Sequence, residues 1–441
     1  MKIDTRARAV IDILKRAGYE AYIVGGSVRD YLLGLDSHDI DITTCAHPDE
    51  IKQVFADFRT IDTGIRHGTV TILYEDLPIE VTTFRADGEY LDHRRPKQVS
   101  FVRNLKEDLM RRDFTINAMA YDEDLIDIFG GRDDLENKLI RAVGDPDMRF
   151  REDALRILRA LRFASQLGFK IERRTALAMR KNRELLRDIS AERVQKELNQ
   201  ILLGKNVKNV LQRYYDIIAV CIPEILRMVG FDQHNKYHVY DVYKHSIVAL
   251  AKSKCDLIVR LTLLFHDIGK PEVFSLDENG CGHFYRHATE SVKITRTIFN
   301  RLKYDNDTKN QVLRLIEYHD AVLSEDDKSI KRWLNRLGED LFKKLIEVQK
   351  GDNFGQNPAL RDRQNRLENI CKRIDEIVAE KECFSLRQLA IDGYDMIALG
   401  YSGAEIKTAL NFALESVINN KVTNDKDAII EYLKAKLKIK K

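Results

Sequence analysis

Between residues 20 and 130 the apolar pattern switches about every ten residues, and beyond that stretch it settles into helical spacing. "AYIVGG" and "DIDITT" read as short strands and "SVRDYLLG" as a helix between them; "GTVTILYE" and "PIEVTTFR" read as two more strands with alternating apolar positions. After "DPDMRFRED" amphipathic helical segments run to the C-terminus, interrupted by the loop-rich "SLDENGCGHF". This division predicts an α+β protein with a small mixed β-sheet head at about 1–140. Three all-α parts follow: a basic neck at 141–205, a His-containing body at 206–355 and a tail at 356–441. A chain of 441 residues needs several cores and can form them without disulfides.

The six cysteines, Cys45, Cys221, Cys255, Cys281, Cys371 and Cys383, form no CxxC pair and read as reduced, mostly buried thiols, which favours a cytoplasmic protein. The opening "MKIDTRARAVIDILKRAG" reads as an amphipathic helix rather than a signal peptide, and no run of eighteen apolar residues is present to span a membrane. A net charge of +3 specifies no partner, but "DLMRRDF", "DMRFREDALRILRALRF" and "YLKAKLKIKK" concentrate positive charge that would steer an anion. No protein partner is evident.

Within "GLDSHDIDIT", Asp39 and Asp41 lie two apart on a strand, so they share a face with Cα atoms roughly 6.6 Å apart, while Ile40 and Ile42 point into the core. Two like charges so placed repel unless cations lie between them, the arrangement that supports phosphoryl or nucleotidyl transfer. Upstream, Gly25 and Gly26 end a strand where bare backbone N–H groups can meet an anion at the next helix, with Arg29 one turn in. A triphosphate suits that turn. Glu80, in "PIEVTTF", is a third carboxylate for the same cations. Taken singly, a GG turn is an ordinary turn and a DxD is surface charge; their order within one short stretch carries the reading.

This head resembles the polymerase β nucleotidyltransferase superfamily. More narrowly, "IVGGSVRDYLLG", "HDIDITT", "DTGIRHGTV", "EVTTFR", "DLMRRDFTINAMAYD" and "DPDMRFREDALRILRALRFASQLGF" resemble the class II tRNA nucleotidyltransferase and bacterial poly(A) polymerase family. The resemblance implies that C, C and A are added to a tRNA 3′ end from CTP and ATP with release of pyrophosphate. Asp39 and Asp41 would hold two Mg²⁺, and Gly26, Arg29 and Arg112 would bind phosphates. A-only addition, or poly(A) synthesis, would use the same head motifs. The polar stretch "RADGEYLDHRRPK" after "EVTTF" reads as an exposed loop. In the family it resembles the lever that permits the final A.

"RRDFTINAMAYD" reads as a helix capped by Asp113; the resemblance places Arg112 on phosphate and gives Asp113 and Asn117 to the ribose or to pocket support. "FREDALRILRALRFA" reads as one continuous amphipathic helix, with Asp153 and Arg156 neighbours on its polar face and Arg162 at the far edge. On residues alone that face is a solvated one with an i,i+3 ion pair. The resemblance makes Glu152, Asp153 and Arg156 a protein template. Asp153 would accept from the exocyclic amine that C and A share, Arg156 would donate to ring nitrogen or carbonyl, and Arg159 and Arg162 would serve phosphate or structure.

Farther on, His266 and Asp267 sit in "LLFHDIGKP", with His245 upstream and Asp352 in "KGDNFG". Imidazoles and carboxylates in this combination suit a divalent transition metal and a hydrolytic water. The four resemble the H…HD…D pattern of HD phosphohydrolases, which implies phosphatase or cyclic phosphodiesterase activity toward RNA ends, with His287 and His319 as added ligands of a two-metal variant. A hydrolase whose head has become an RNA clamp is a competing reading, as is a noncatalytic tRNA-binding protein. The helical tail resembles family segments that contact the tRNA acceptor arm, where lysines would give salt-sensitive, shape-directed affinity.

Overall fold

The computed structural model describes residues 4–35, 40–65, 68–87, 99–360 and 363–436. The chain divides into two compact units, Met1–Pro223 and Glu224–Lys441.

The first unit opens with α1 (Thr5–Arg16), whose N-terminus is capped by the Asp4 carboxylate and whose Ala7, Val10, Ile11 and Leu14 form one buried stripe. The sheet runs through β1 (Ala21–Val24), β2 (Asp41–Thr44), β3 (Arg59–Gly64), β4 (Thr69–Tyr74) and β5 (Leu77–Thr83). A separate two-stranded ribbon, β6 (Arg85–Asp87) with β7 (Val99–Phe101), precedes β8 (Met119–Tyr121) and β9 (Leu125–Asp127). The order is β3-β4-β5-β2-β1-β8-β9, and only β2 and β5 pair in parallel. Ile23, Ile42, Ile72, Ile79 and Val81 are buried, each such side chain contributing about 1.5–3 kcal/mol. The α+β expectation holds, with strands where the alternating segments placed them.

Helix α2 (Gly26–Leu32) follows β1 directly, and α3 (Pro48–Val54), α4 (Leu105–Met110) and α5 (Gly131–Glu136) complete the head. Beyond them lie α6 (Pro146–Glu152), α7 (Leu155–Leu167), α8 (Arg173–Asn182), α9 (Ala191–Leu202), α10 (Val207–Arg213) and α11 (Tyr215–Cys221). Two sequence expectations are corrected here. "RRDFTINAMAYD" is not a helix capped by Asp113 but a single 3₁₀ turn, Thr115–Asn117, running into β8. The β-branched Thr115 and Ile116 and the short polar Asn117 give it little helical preference. Nor is "FREDALRILRALRFA" one helix. Asp153 is extended (φ −135°, ψ 103°) and its Oδ1 accepts the Leu155 N–H at 3.1 Å, so it ends α6 and caps α7, as aspartate prefers.

In the second unit, α12 (Val242–Lys252), α13 (Leu257–Phe265), α14 (His287–Arg301), α15 (Asn306–Tyr318), α16 (Asp327–Leu337), α17 (Glu339–Gly355) and α18 (Arg363–Ala379) pack around Ile247, Leu261, Phe265, Phe299, Ile316, Phe342 and Ile346. A smaller core of Met396, Ala413, Leu414, Ile429 and Leu433 joins α19 (Gly393–Ala398), α20 (Ala404–Ile418) and α21 (Lys426–Lys436). Two glycines let α17 lie close against α12: a Cβ at Gly351 would stand 3.1 Å from the Ala249 carbonyl, and one at Gly355 only 2.7 Å from His245 Nδ1. No described helix is long and apolar enough to cross a membrane. The six cysteines are free, but the expectation of mostly buried thiols is corrected, since only Cys383 is buried and Cys255 is exposed. A thiol is small enough to sit at a helix edge as readily as inside.

Candidate active site and a buried histidine cluster

In the head, Asp41 on β2 pairs in register with Glu80 on β5, so two carboxylates separated by most of a ββ crossover stand side by side on one face. Their neighbours Ile42 and Val81, also in register, are buried on the opposite face. Asp39 lies outside the described residues, as does most of the loop expected after β5. Gly25 adopts φ +75°, ψ −133°, a region open only to glycine, and any Cβ there would fall 3.1 Å from Arg112 Nη1 and 3.8 Å from Asp41 Oδ2. The glycine turn, the carboxylate strand and Arg112 therefore meet at one point. Gly26 lies 3.5 Å from Arg29 Nη2 by the same measure.

The guanidinium groups are held by the protein's own acids. Arg29 is bidentate to Asp30 (2.8 and 2.9 Å) and donates to Asn117 Oδ1 at 2.7 Å. Asn117 donates to Asp113 Oδ1 at 3.2 Å, and Arg159 grips Asp113 Oδ2 at 2.6–2.7 Å. Burial alone would raise the Asp113 pKa, but the Arg159 charge and these hydrogen bonds outweigh it and hold the carboxyl down at about 2. Arg112 donates to Asp108 Oδ2 at 3.2 Å, and its Nε is buried with no hydrogen-bond partner among the described residues. Asp108 is fully buried, yet Arg111 and Arg112 keep its pKa below the ordinary value against that burial.

Arg156 is also buried. It donates to Glu152 at 2.8 Å and to the carbonyl of Arg111 at 2.9 Å, which seats it behind the backbone that carries Arg112. Asp153 faces elsewhere: its Oδ2 accepts from Arg193 of α9 at 3.0 Å. The helical-wheel neighbourhood of Asp153 and Arg156 is thus replaced by a bend between them. Arg162 pairs with the buried Glu197 of α9 at 3.4 Å, and burial raises that carboxyl's pKa. Arg29, Arg159 and Arg162 all lie over the Phe163 ring, 5.1, 5.5 and 4.6 Å from its centroid. Asp108, Phe163, Arg193 and Glu197 escaped the reading of the sequence. Of these only Asp108 left a signal, its spacing of three and four residues from Arg111 and Arg112 on a helical stretch.

The second unit gathers His245 (α12), His266 and Asp267 (after α13), His287 (start of α14), His319 (after α15) and Asp352 (α17). His245 Nε2 lies 3.2 Å from His266 Nε2 and 2.9 Å from Asp352 Oδ1; Asp267 Oδ2 is 3.4 and 3.3 Å from the two imidazoles. On its other side Asp267 Oδ1 faces His287 and His319 at 3.5 and 3.6 Å, whose Nε2 atoms are 3.1 Å apart. His266, His287 and His319 direct Nδ1 at the carbonyls of Leu263, Phe284 and Ile316 (3.0, 2.9 and 2.7 Å). Those bonds place the ring proton on Nδ1 and leave Nε2 as a lone pair aimed inward.

Lone pairs facing one another at such distances repel unless a cation lies between them. Asp267 adds to the demand, a fully buried carboxylate whose nearest charged partner among the described residues is Lys270, with Nζ 2.7 Å from Oδ2. The donors separate into His245–His266–Asp267 and Asp267–His287–His319, each compact enough for one ion. The expected His245, His266, Asp267 and Asp352 are therefore assembled together, with His287 and His319 beside them. Lys270, three residues after Asp267, is an addition.

Comparisons with known proteins identify the family. A "Poly A polymerase head domain" profile matches residues 21–141, "Probable RNA and SrmB- binding site of polymerase A" matches 168–226, and a tRNA nucleotidyltransferase domain 2 profile matches 286–433. The CCA-adding enzyme of Lactobacillus helveticus is 38% identical over 97% of this chain and 96% of its own. That of Staphylococcus haemolyticus is 35% identical over 98% of both. The crystal structure of the Bacillus stearothermophilus CCA-adding enzyme in complex with CTP superimposes with a TM-score of 0.74 at 29% identity, covering 98% of this chain and 96% of that one. With near-complete coverage at this identity, and with the head's carboxylates, glycine turn and arginines converging, the chain belongs to the CCA-adding enzymes, the nucleotidyltransferases that build the CCA end of tRNA.

Proposed function

We propose that the head directs a tRNA 3′ hydroxyl onto the α-phosphate of CTP twice and of ATP once, with Asp39, Asp41 and Glu80 as its metal-holding carboxylates. An all-oxygen donor set fits Mg²⁺. Two such ions would lower the pKa of the attacking hydroxyl and steady the triphosphate. The backbone N–H groups of Gly25 and Gly26, with Arg29 and Arg112, receive the phosphates, and Gly25 leaves the approach open. Asp113 and Asn117 serve the ribose edge, with Arg159 fixing Asp113 and Arg162 bracing the Phe163 side. Asp153 and Arg156 select the base. The observation that carries the reading is the pairing of Asp41 with Glu80 beside Gly25 and Arg112.

Sequencing the products formed on a tRNA lacking its CCA end, with CTP and ATP separately and together, tests it. CCA followed by arrest is expected; A addition only to tRNA already ending in CC, or long A tails on unrelated RNA, would replace it. Asp153→Ala should keep activity with Mg²⁺ while losing the preference of CTP and ATP over UTP and GTP, and unchanged selectivity would remove Asp153 from base choice.

The second unit supports a further activity, a phosphohydrolase acting on RNA ends. His245, His266, Asp267 and Asp352 would hold one divalent transition cation and Asp267, His287 and His319 another. Ions bound there would make water acidic enough to attack a phosphoester. Inward-facing Nε2 lone pairs support this reading. Phosphate release from a 2′,3′-cyclic RNA end, lost in His266→Ala, is the expected result; equal release by that variant would refute it. We further place the protein in the cytoplasm, with head, neck, body and tail divided near residues 140, 205 and 355. The lysine-bearing tail contacts the acceptor arm.

A further inference from the structure

The hairpin that joins the two halves of the histidine cluster carries donor groups that neither activity uses. Strands β10 (Ser275–Leu276) and β11 (Gly282–His283) pair antiparallel, and the turn closes through Asp277 N–H to Cys281 O and Gly280 N–H to Asp277 O, both 3.0 Å, with Gly280 at φ +72°. Cys281 and His283 alternate on this arm and share a face, and the turn folds Asp277 over them. The carboxylate, thiol and imidazole donors all lie within 4.8 Å of one another. We propose that Asp277, Cys281 and His283 form a surface site for Zn²⁺ or a similar borderline-soft divalent cation.

The arrangement is held in place before any ion arrives. Asp277 Oδ1 accepts the N–H groups of Asn279 and Cys281, both at 2.9 Å, which turns Oδ2 toward His283 Nε2, also at 2.9 Å. The His283 ring stacks on Tyr285 with centroids 5.4 Å apart and planes 6° from parallel. Between the two strand ligands, Gly282 donates to the His234 carbonyl at 2.8 Å and leaves no room for a side chain, since a Cβ would fall 2.2 Å from the Gln233 carbonyl. The hairpin is thus docked at its middle, and its donors need little reorganisation. Closing so short a chelate loop costs little entropy.

Thiolate, imidazole and carboxylate together favour Zn²⁺ or Co²⁺ over Mg²⁺ or Ca²⁺, and three protein ligands leave a position for water. Binding would release the thiol proton. None of the three residues belongs to the histidine cluster or the head pocket, so the inference stands apart from both proposed activities. It also differs chemically from the cluster, whose donors include no sulfur.

That difference supplies the test. Metal-stripped full-length protein is titrated with Co²⁺, and thiolate-to-cobalt charge transfer in the near ultraviolet is recorded. A band whose amplitude corresponds to one thiolate-bound ion per chain, reached once the histidine cluster has taken its own ions, is expected. It should be lost in Cys281→Ser, weakened in His283→Ala and kept in His266→Ala, with circular dichroism showing each variant folded. In parallel, Zn²⁺ should slow alkylation of Cys281 while the exposed Cys255 reacts at its usual rate. Absence of the band, its survival in Cys281→Ser, or an alkylation rate at Cys281 indifferent to Zn²⁺ would overturn the site.

Discussion

The arginine-lined pocket of the first unit and the histidine cluster of the second are both assembled from charged groups on several elements, yet only the first is balanced by the protein itself. Arg29, Arg112, Arg156, Arg159 and Arg162 each meet a carboxylate: Asp30, Asp108, Glu152, Asp113 and Glu197. A guanidinium so held keeps its geometry between turnovers and still has donors to offer an anion that comes and goes. In the cluster, His266, His287 and His319 turn Nε2 lone pairs inward beside two carboxylates, with His245 Nε2 against His266 and Asp352 and Lys270 beside Asp267. The first suits an anion that comes and goes; the second, on the proposed reading, would hold resident cations.

The sharpest way to break this contrast is to remove a carboxylate proposed to hold the catalytic metal. Asp41→Ala should reduce CCA addition by roughly a thousandfold or more. Its circular dichroism should remain that of the folded protein. Loss of folding in that variant would show that Asp41 is structural.

A structural acid should behave in the opposite way. Asp113→Ala leaves Arg159 partly buried and uncompensated, and urea unfolding of the first unit should register a loss of about 3–5 kcal/mol. The paired replacement Asp113→Leu with Arg159→Met should recover most of it. Failure of the pair to recover would mean that Asp113 acts chiefly through Asn117 and Phe114.

Cations should stabilise the second unit more than the first. At a hundredfold excess over the dissociation constant, Mn²⁺ or Zn²⁺ should add about 2.7 kcal/mol to its calorimetric transition. His266→Ala should lose most of the gain, with the hairpin site retaining its share in Zn²⁺, and equal stabilisation of both units would blur the distinction drawn between them.

Acid should act on the pocket with a defined sign. Asp113 has a folded pKa of about 2, below its ordinary 3.8. The stability it confers is therefore complete above pH 4 and fades as the pH falls toward 2, a loss of about 2 kcal/mol. Arg159→Met should flatten that part of the profile. The smallest effect is expected at Arg132, whose ion pair with Glu136 leaves both side chains 65% exposed. Arg132→Ala should change stability by less than about 0.5 kcal/mol in either unit.

Much of the head could be read in advance because its signals are local. A two-residue period put Asp41 on the face opposite Ile42, a glycine pair marked a turn before a helix, and "HD" after an apolar run marked a ligand pair. The errors were also local in origin. Helical spacing continues through Asp153 in a wheel diagram, but the aspartate's preference for capping breaks the helix there. The stretch after Arg112 has helix-like apolar spacing, yet its place beside β1 draws it into the sheet as β8.

The α+β division, the carboxylate strand and the glycine turn were legible in the chain itself, since each depends on residues within a turn or a strand of one another, and residue type singled out the histidines and aspartates of the cluster. Packing settled which groups meet. It set Glu80 against Asp41 by strand register, pinned Asp113 with Arg159 and Asp153 with Arg193, and brought four imidazoles from separate helices onto one aspartate. Those encounters depend on how elements pack across dozens of intervening residues, and packing is fixed by the shapes of both partners, which no local pattern contains.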